Sequence, residues 1–171
     1  MTSKDIDLIK EMLQMQAKLD EAIMKEYGLT EIDETKLSFA ILDEVGELTH
    51  ELKGNWCWWK KTQPKVDKSK VLGELVDVWH FVLSWQNHFN NGEEGIINNL
   101  EVVRNSKRIL DLLKTKEYTL SGELAYLVIW GIFKVERLIA ITEYLGFSVE
   151  DVYKDYCNKN KVNYQRLESG Y

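Results

Sequence analysis

Apolar residues recur at spacings of three and four along most of this chain, and no period-two alternation persists. Leu37, Ile41, Leu48 and Leu52 fall on one helical stripe, and Val71, Leu75, Val78, Val82 and Trp85 on another. The pattern predicts helices bounded by their own punctuation. The first runs from about Ser3 to Glu26 and stops at Gly28; the second runs from about Asp33 to Lys53 and ends at Gly54. A third spans about Ser69 to Asn90, before the turn signal Asn91-Gly92. A fourth covers roughly Glu94 to Thr115, and a fifth roughly Leu120 to Leu145, closed by Gly146. Ser148 with Asp151 resembles an N-cap pair that opens a sixth helix, fading somewhere after Lys159. The sum is an all-α multi-helix bundle. The segment 54–68 (GNWCWWKKTQPKVDK) is the one long loop in this scheme, and loops of that length are often functional.

Composition agrees with this picture and removes several function classes. At 171 residues, 44% of them hydrophobic, the chain fits one domain over residues 1–171 with one core. Its single proline leaves long helices unobstructed. A net charge of −6 gives no electrostatic ground for nucleic-acid binding. It leaves room for a small phosphorylated ligand, because a metal ion inverts the local sign. The two cysteines, Cys57 and Cys157, make no metal or disulfide pattern and read as free thiols of a reducing cytosol. The charged start MTSKDIDLIKEM is not a signal peptide, and no apolar run approaches the ~20 residues that span a bilayer. The expectation is a cytoplasmic protein with no membrane or nucleic-acid partner.

Chemistry enters with two acidic pairs. Glu44 and Glu47 are spaced i, i+3, as are Glu74 and Asp77, so each pair projects from one face of its helix. Such pairs are common on solvated faces, and by themselves carry little weight. Their position changes that. Glu44 lies three after Ile41 and four before Leu48, and Glu74 lies three after Val71 and four before Val78, inside the apolar stripes. A core-facing carboxylate without a partner is costly and tends to protonate. No basic residue stands at helical spacing between the acids of either helix. Two such pairs on facing antiparallel helices converge four oxygen donors, the environment preferred by hard cations such as Mg²⁺. Gly46 and Gly73 sit beside these acids inside helices, where glycine costs about 1 kcal/mol. Close approach of a ligand or of a neighbouring helix would account for them. Glu51 extends the acidic row by one turn at its periphery.

Two further segments admit two readings each. Trp56, Trp58 and Trp59 with Lys60 and Lys61 are either a plug for the bundle end or a wall over a site, with lysine charge for phosphate. Lys159, Asn163 and Arg166, at spacings of four and three, are either a frayed basic tail or, if the helix persists, one cationic face suited to phosphate oxygens.

Together these residues resemble a known family. Glu44-x-x-Glu47, Trp56-Cys-Trp-Trp-Lys60, Glu74-Leu-Val-Asp77-Val-Trp-His80-Phe81 and the closing Lys159-Asn-x-x-Asn163-x-x-Arg166-x-x-x-Gly170-Tyr171 are similar to motifs of the dimeric all-α dUTPases, a branch of the MazG-like nucleotide pyrophosphatases. Gln16-Ala-Lys-Leu19-Asp20 also resembles a family motif, in which the acidic position is usually asparagine. The resemblance implies hydrolysis of dUTP, and of dUDP, to dUMP by a metal-activated water. It assigns Glu44, Glu47, Glu74 and Asp77 to two or more Mg²⁺ ions, with Glu44 or Glu47 as the base. It assigns Lys159, Asn163 and Arg166 to phosphate, and Gln16, Asp20, His80, Phe81, Trp56 and Tyr171 to the base and nucleoside. It also implies a homodimer, for which Leu124, Tyr126, Leu127, Ile129, Trp130 and Phe133 would serve as interface or equally as core. Asp20 leaves a shift toward another pyrimidine such as dCTP open, because aspartate cannot donate where an amide would. An interaction protein on the same fold, binding a repressor, is the alternative of another class.

Overall fold

Local capping chemistry sets where the helices begin and end. The computed structural model describes residues 2–96, 99–129 and 134–170. Helix α1 (Ser3–Tyr27) opens on a capping box between Thr2 and Asp5 and closes at Gly28, whose φ of 64° is left-handed. Helix α2 (Glu34–Glu51) starts where the Asp33 carboxylate accepts from the Lys36 amide. A short α3 (Lys53–Trp56) begins the predicted loop, and α4 (Lys68–Phe89) follows, capped by Asp67.

The fourth predicted helix appears as α5 (Gly92–Ile96) and α6 (Asn99–Lys114). The fifth appears as α7 (Leu120–Ile129) and α8 (Val135–Tyr144), the latter starting after Lys134, whose backbone is extended at φ −84°, ψ 124°. One predicted helix thus corresponds to two, set apart by the extended Lys134. The sixth predicted helix persists ten residues past Lys159. As α9 (Val149–Ser169) it runs between a Ser148–Asp151 capping box and Gly170, with φ 71°. No helix among the described residues is long and apolar enough to cross a membrane.

Packing centres on α4. It lies against α1, α2, α8 and α9, and buries residues around most of its circumference, including Val71, Leu75, Val76, Val78, Trp79, Val82 and Leu83. The closest pairings are α2 with α4, α6 with α8, and α1 with α9. Trp79, wholly buried, donates its indole N–H to Thr142 Oγ1 at 3.1 Å and so ties α4 to α8. The Thr142 hydroxyl in turn donates to the Leu138 carbonyl at 2.7 Å, leaving the buried polar chain satisfied. Most core residues of α1, α2, α4 and α9 join one cluster, while Ile109, Leu110, Leu113 and Ala140 form a smaller one between α6 and α8. Residues of α1, α2, α4 and α9 line one cavity, and the acidic pairs sit on two of these helices.

Candidate active site

Helices α2 and α4 bring the two acidic pairs together. Glu44 is influenced most, among charged groups, by Asp77, and Glu74 by Glu47. That reversed order along the two helices is the mark of antiparallel packing. Ligand oxygens of Glu44, Glu74 and Asp77 all lie within 4.8 Å of one another. Glu47 stands outside that triad, on the exposed side, close enough to Glu74 for its charge to raise that carboxyl. Burial, then the charges of Asp77 and Glu47, pushes the Glu44 carboxyl up to about 7. Burial also raises Glu74. An all-oxygen donor set that resists its own ionisation fits a divalent hard cation, whose charge relieves both the desolvation and the repulsion.

The sequence contains a counter-charge that helical spacing could not reveal. Lys159, from α9, places its Nζ 2.7 Å from Asp77 Oδ2. A cation at the triad would compete with Lys159 for this oxygen. Because α9 continues to Ser169, Asn163 and Arg166 share the face of Lys159, and all three line the same cavity as Glu44, Glu47 and Asp77.

That cavity has a volume of about 790 Å³, within the range of small-molecule sites. Its far end is a hydrogen-bonded chain. Gln16 Nε2 donates to Asp20 Oδ1 at 2.7 Å, and Tyr156 donates its hydroxyl to Gln16 Oε1 at 2.6 Å. Asp20 accepts there, so the Gln16 amide nitrogen faces Asp20 and its oxygen faces Tyr156 and His80. The 2.8 Å contact of His80 Nδ1 with Gln16 Oε1 then requires the hydrogen on Nδ1. Burial, aided by the charge of Lys159, depresses His80 to about 3, which keeps the ring neutral, and it stacks on Tyr156 at 3.8 Å between centroids. At this end the buried His80 Nε2 lacks a hydrogen-bond partner, while Asp20 Oδ2 is paired with His88 Nε2 at 3.3 Å. Phe81, half-buried, adds an apolar wall.

Gln16, Asp20, His80, Phe81, Glu44, Glu47, Asp77, Lys159, Asn163 and Arg166 therefore all line one cavity. Glu74 lies just outside it, facing a small recess shared with Glu47 and Glu51. Trp56 points elsewhere. Its indole donates to the Thr49 carbonyl at 2.8 Å, and it borders a second, more apolar cavity with Leu52, Leu124 and Tyr144. Lys60 is exposed and borders neither cavity. Trp58 and Trp59 stay largely exposed, so they do not plug the bundle end. Tyr171, Trp130 and Phe133 lie outside the described residues. A Cβ added at Gly46 or Gly73 would meet nothing within 4 Å, so close helix contact does not explain these glycines.

Sequence reasoning overlooked Tyr156, Ser84 and His88. Their signal was available in part: His80, Ser84 and His88 repeat every four residues on α4, as Gln16 and Asp20 do on α1. A comparison with protein-family models returns a match over residues 8–171, to a family described as dUTPase. A comparison with the curated proteins finds no match.

Proposed function

Because the chain belongs to the dUTPase family and is a dUTP diphosphatase, we propose that the cavity between α1, α2, α4 and α9 carries out that hydrolysis, with Mg²⁺ held by Glu44, Glu47, Glu74 and Asp77. The observation behind this reading is the single cavity lined by carboxylates at one end and by a polar, stacked base-sized pocket at the other. When bound, Mg²⁺ supplies charge neutralisation for the phosphate chain and acidifies water. The protein's own groups do the rest. Glu44 or Glu47 takes the proton of the attacking water. Lys159, Asn163 and Arg166, arrayed along α9, hold phosphate oxygens and balance the charge that grows as the bond breaks. Gln16, Asp20, His80 and Phe81 take the uracil ring. The products are dUMP and pyrophosphate, and dUDP is accepted with release of phosphate.

The whole chain acts as one domain and works as a homodimer. The test is a panel of dUTP, dUDP, dCTP, dTTP and UTP, assayed with Mg²⁺ and with EDTA. Clear preference for dUTP, lost with EDTA, is expected. Broad turnover or a dCTP preference would instead indicate a less selective pyrophosphatase. Turnover that persists in EDTA would remove the metal role.

A further inference from the structure

Asp77 is claimed twice. Its carboxyl belongs to the triad with Glu44 and Glu74, whose ligand oxygens gather within 4.8 Å of one another. The same carboxyl accepts a hydrogen bond from Lys159 Nζ at 2.7 Å, between residues 82 apart in the chain. This is not a loose surface bridge, since the Asp77 side chain is only 15% exposed and that of Lys159 33%. The ammonium also acts through space on Glu44 and Glu74. It therefore supplies one positive charge where the acids converge. A hard divalent cation such as Mg²⁺ sits about 2.0–2.1 Å from its oxygens. An ammonium held on a shared carboxyl would face that ion at close range with like charge, so the two claims on Asp77 exclude each other. Lys159 also has somewhere to go. Its stem is long and flexible, and it shares the face of α9 on which Asn163 and Arg166 line the same cavity.

We propose that Lys159 is a relay between metal and phosphate: Asp77 holds its ammonium in the metal-free protein, a divalent cation displaces it, and the released ammonium takes up a phosphate oxygen of the nucleotide. The identity of the phosphate ligand rests on the dUTP-hydrolysing reading above. Two consequences separate this relay from a lysine that only binds phosphate. First, Lys159 lowers the affinity of the nucleotide-free protein for Mg²⁺, because the ion must break the pair before it reaches Asp77. Second, a nucleotide that draws the ammonium away raises that affinity. By linkage, Mg²⁺ raises the affinity for the nucleotide by the same factor. This coupling adds to any that arises from direct contact between the ion and phosphate oxygens. A nucleotide arriving without metal finds the ammonium committed to Asp77, so full phosphate binding waits for the ion.

The test follows the ammonium itself. In the full chain labelled with ¹⁵N and ¹³C, the Lys159 Nζ resonance is assigned through its side chain and followed by NMR. As Mg²⁺ alone saturates the site, the signal should shift and its protons should exchange faster with water. It should shift again when the non-hydrolysable analogue α,β-imido-dUTP is added. Calorimetry with Mg²⁺ alone should show about fivefold tighter binding to Lys159→Met than to the wild type, the equivalent of one partly exposed ion pair. The gain in Mg²⁺ affinity produced by α,β-imido-dUTP, corrected for chelation in free solution, should shrink by a similar factor in that variant. A Lys159 signal that Mg²⁺ leaves unmoved while binding to the protein overturns the relay without any variant having to fold. So does a Lys159→Met protein that binds Mg²⁺ no more tightly than the wild type. A wild type that releases Lys159 to Mg²⁺ yet does not bind the analogue removes the dUTP reading, and the phosphate half of the relay with it. A wild type that binds no Mg²⁺ overturns both.

Discussion

Glu44→Gln should make the metal-free protein more stable while removing its activity. In the folded chain, burial and the neighbouring carboxylates raise Glu44 from 4.5 to about 7. The folded state therefore keeps a proton that the unfolded state releases, and stability falls as pH rises from about 4.5 to 7. The shift corresponds to about 3 kcal/mol at one pK unit per 1.36 kcal/mol. Glu44 is only half-buried, so solvent screening reduces the net effect to about 1–2 kcal/mol. Glutamine preserves the shape and removes the charge. In EDTA at pH 8 the variant should melt about 2–8 °C above the wild type, and at pH 4.5 the two should coincide. Added Mg²⁺ should reverse the order, stabilising the wild type by linkage and the variant much less. Turnover of dUTP should drop at least about a hundredfold. A variant no more stable than wild type at pH 8, or equally stabilised at both pH values, would refute the claim that this cluster is electrostatically frustrated until a cation arrives.

Other expectations follow from single contacts. Lys159→Met removes the 2.7 Å partner of Asp77; the metal-free protein should lose about 1 kcal/mol at neutral pH, largely recovered with Mg²⁺, as seen by thermal melts with and without the ion. Tyr156→Phe deletes the hydroxyl that orients Gln16; a loss of about 1–2 kcal/mol in urea denaturation and a rise in KM for dUTP should appear together. His80, depressed to about 3, is neutral in the fold. Unfolded, it gains a proton below about 6.5, so its contribution is full above that pH and is progressively lost as pH falls toward 3. Acid titration of stability should show His80→Gln flattening that slope. Gly73→Ala, with nothing within 4 Å of the added methyl, should raise stability by up to about 1 kcal/mol, measured by chemical denaturation.

The sequence alone determined the helices, because spacing of three and four, together with Thr2, Asp33, Ser148, Gly28 and Gly170, is local information that each segment carries by itself. It also determined that Glu44 and Glu74 are anomalous, since an acid in an apolar stripe is visible without coordinates. The division between α7 and α8 was not read, because helical spacing continues on both sides of Lys134, whose extended backbone only the structure shows. Only the tertiary structure could bring Lys159 to Asp77, 82 residues apart, or join Gln16, His80 and Tyr156 into one chain. Such contacts depend on where helix axes cross, and no spacing within one helix encodes that. The same holds for Trp56, whose place beside Lys60 in sequence suggested the nucleotide, while the turn of α3 aims it at another cavity. The acids announced themselves in the chain; what they face was decided by the assembly of α1, α2, α4 and α9.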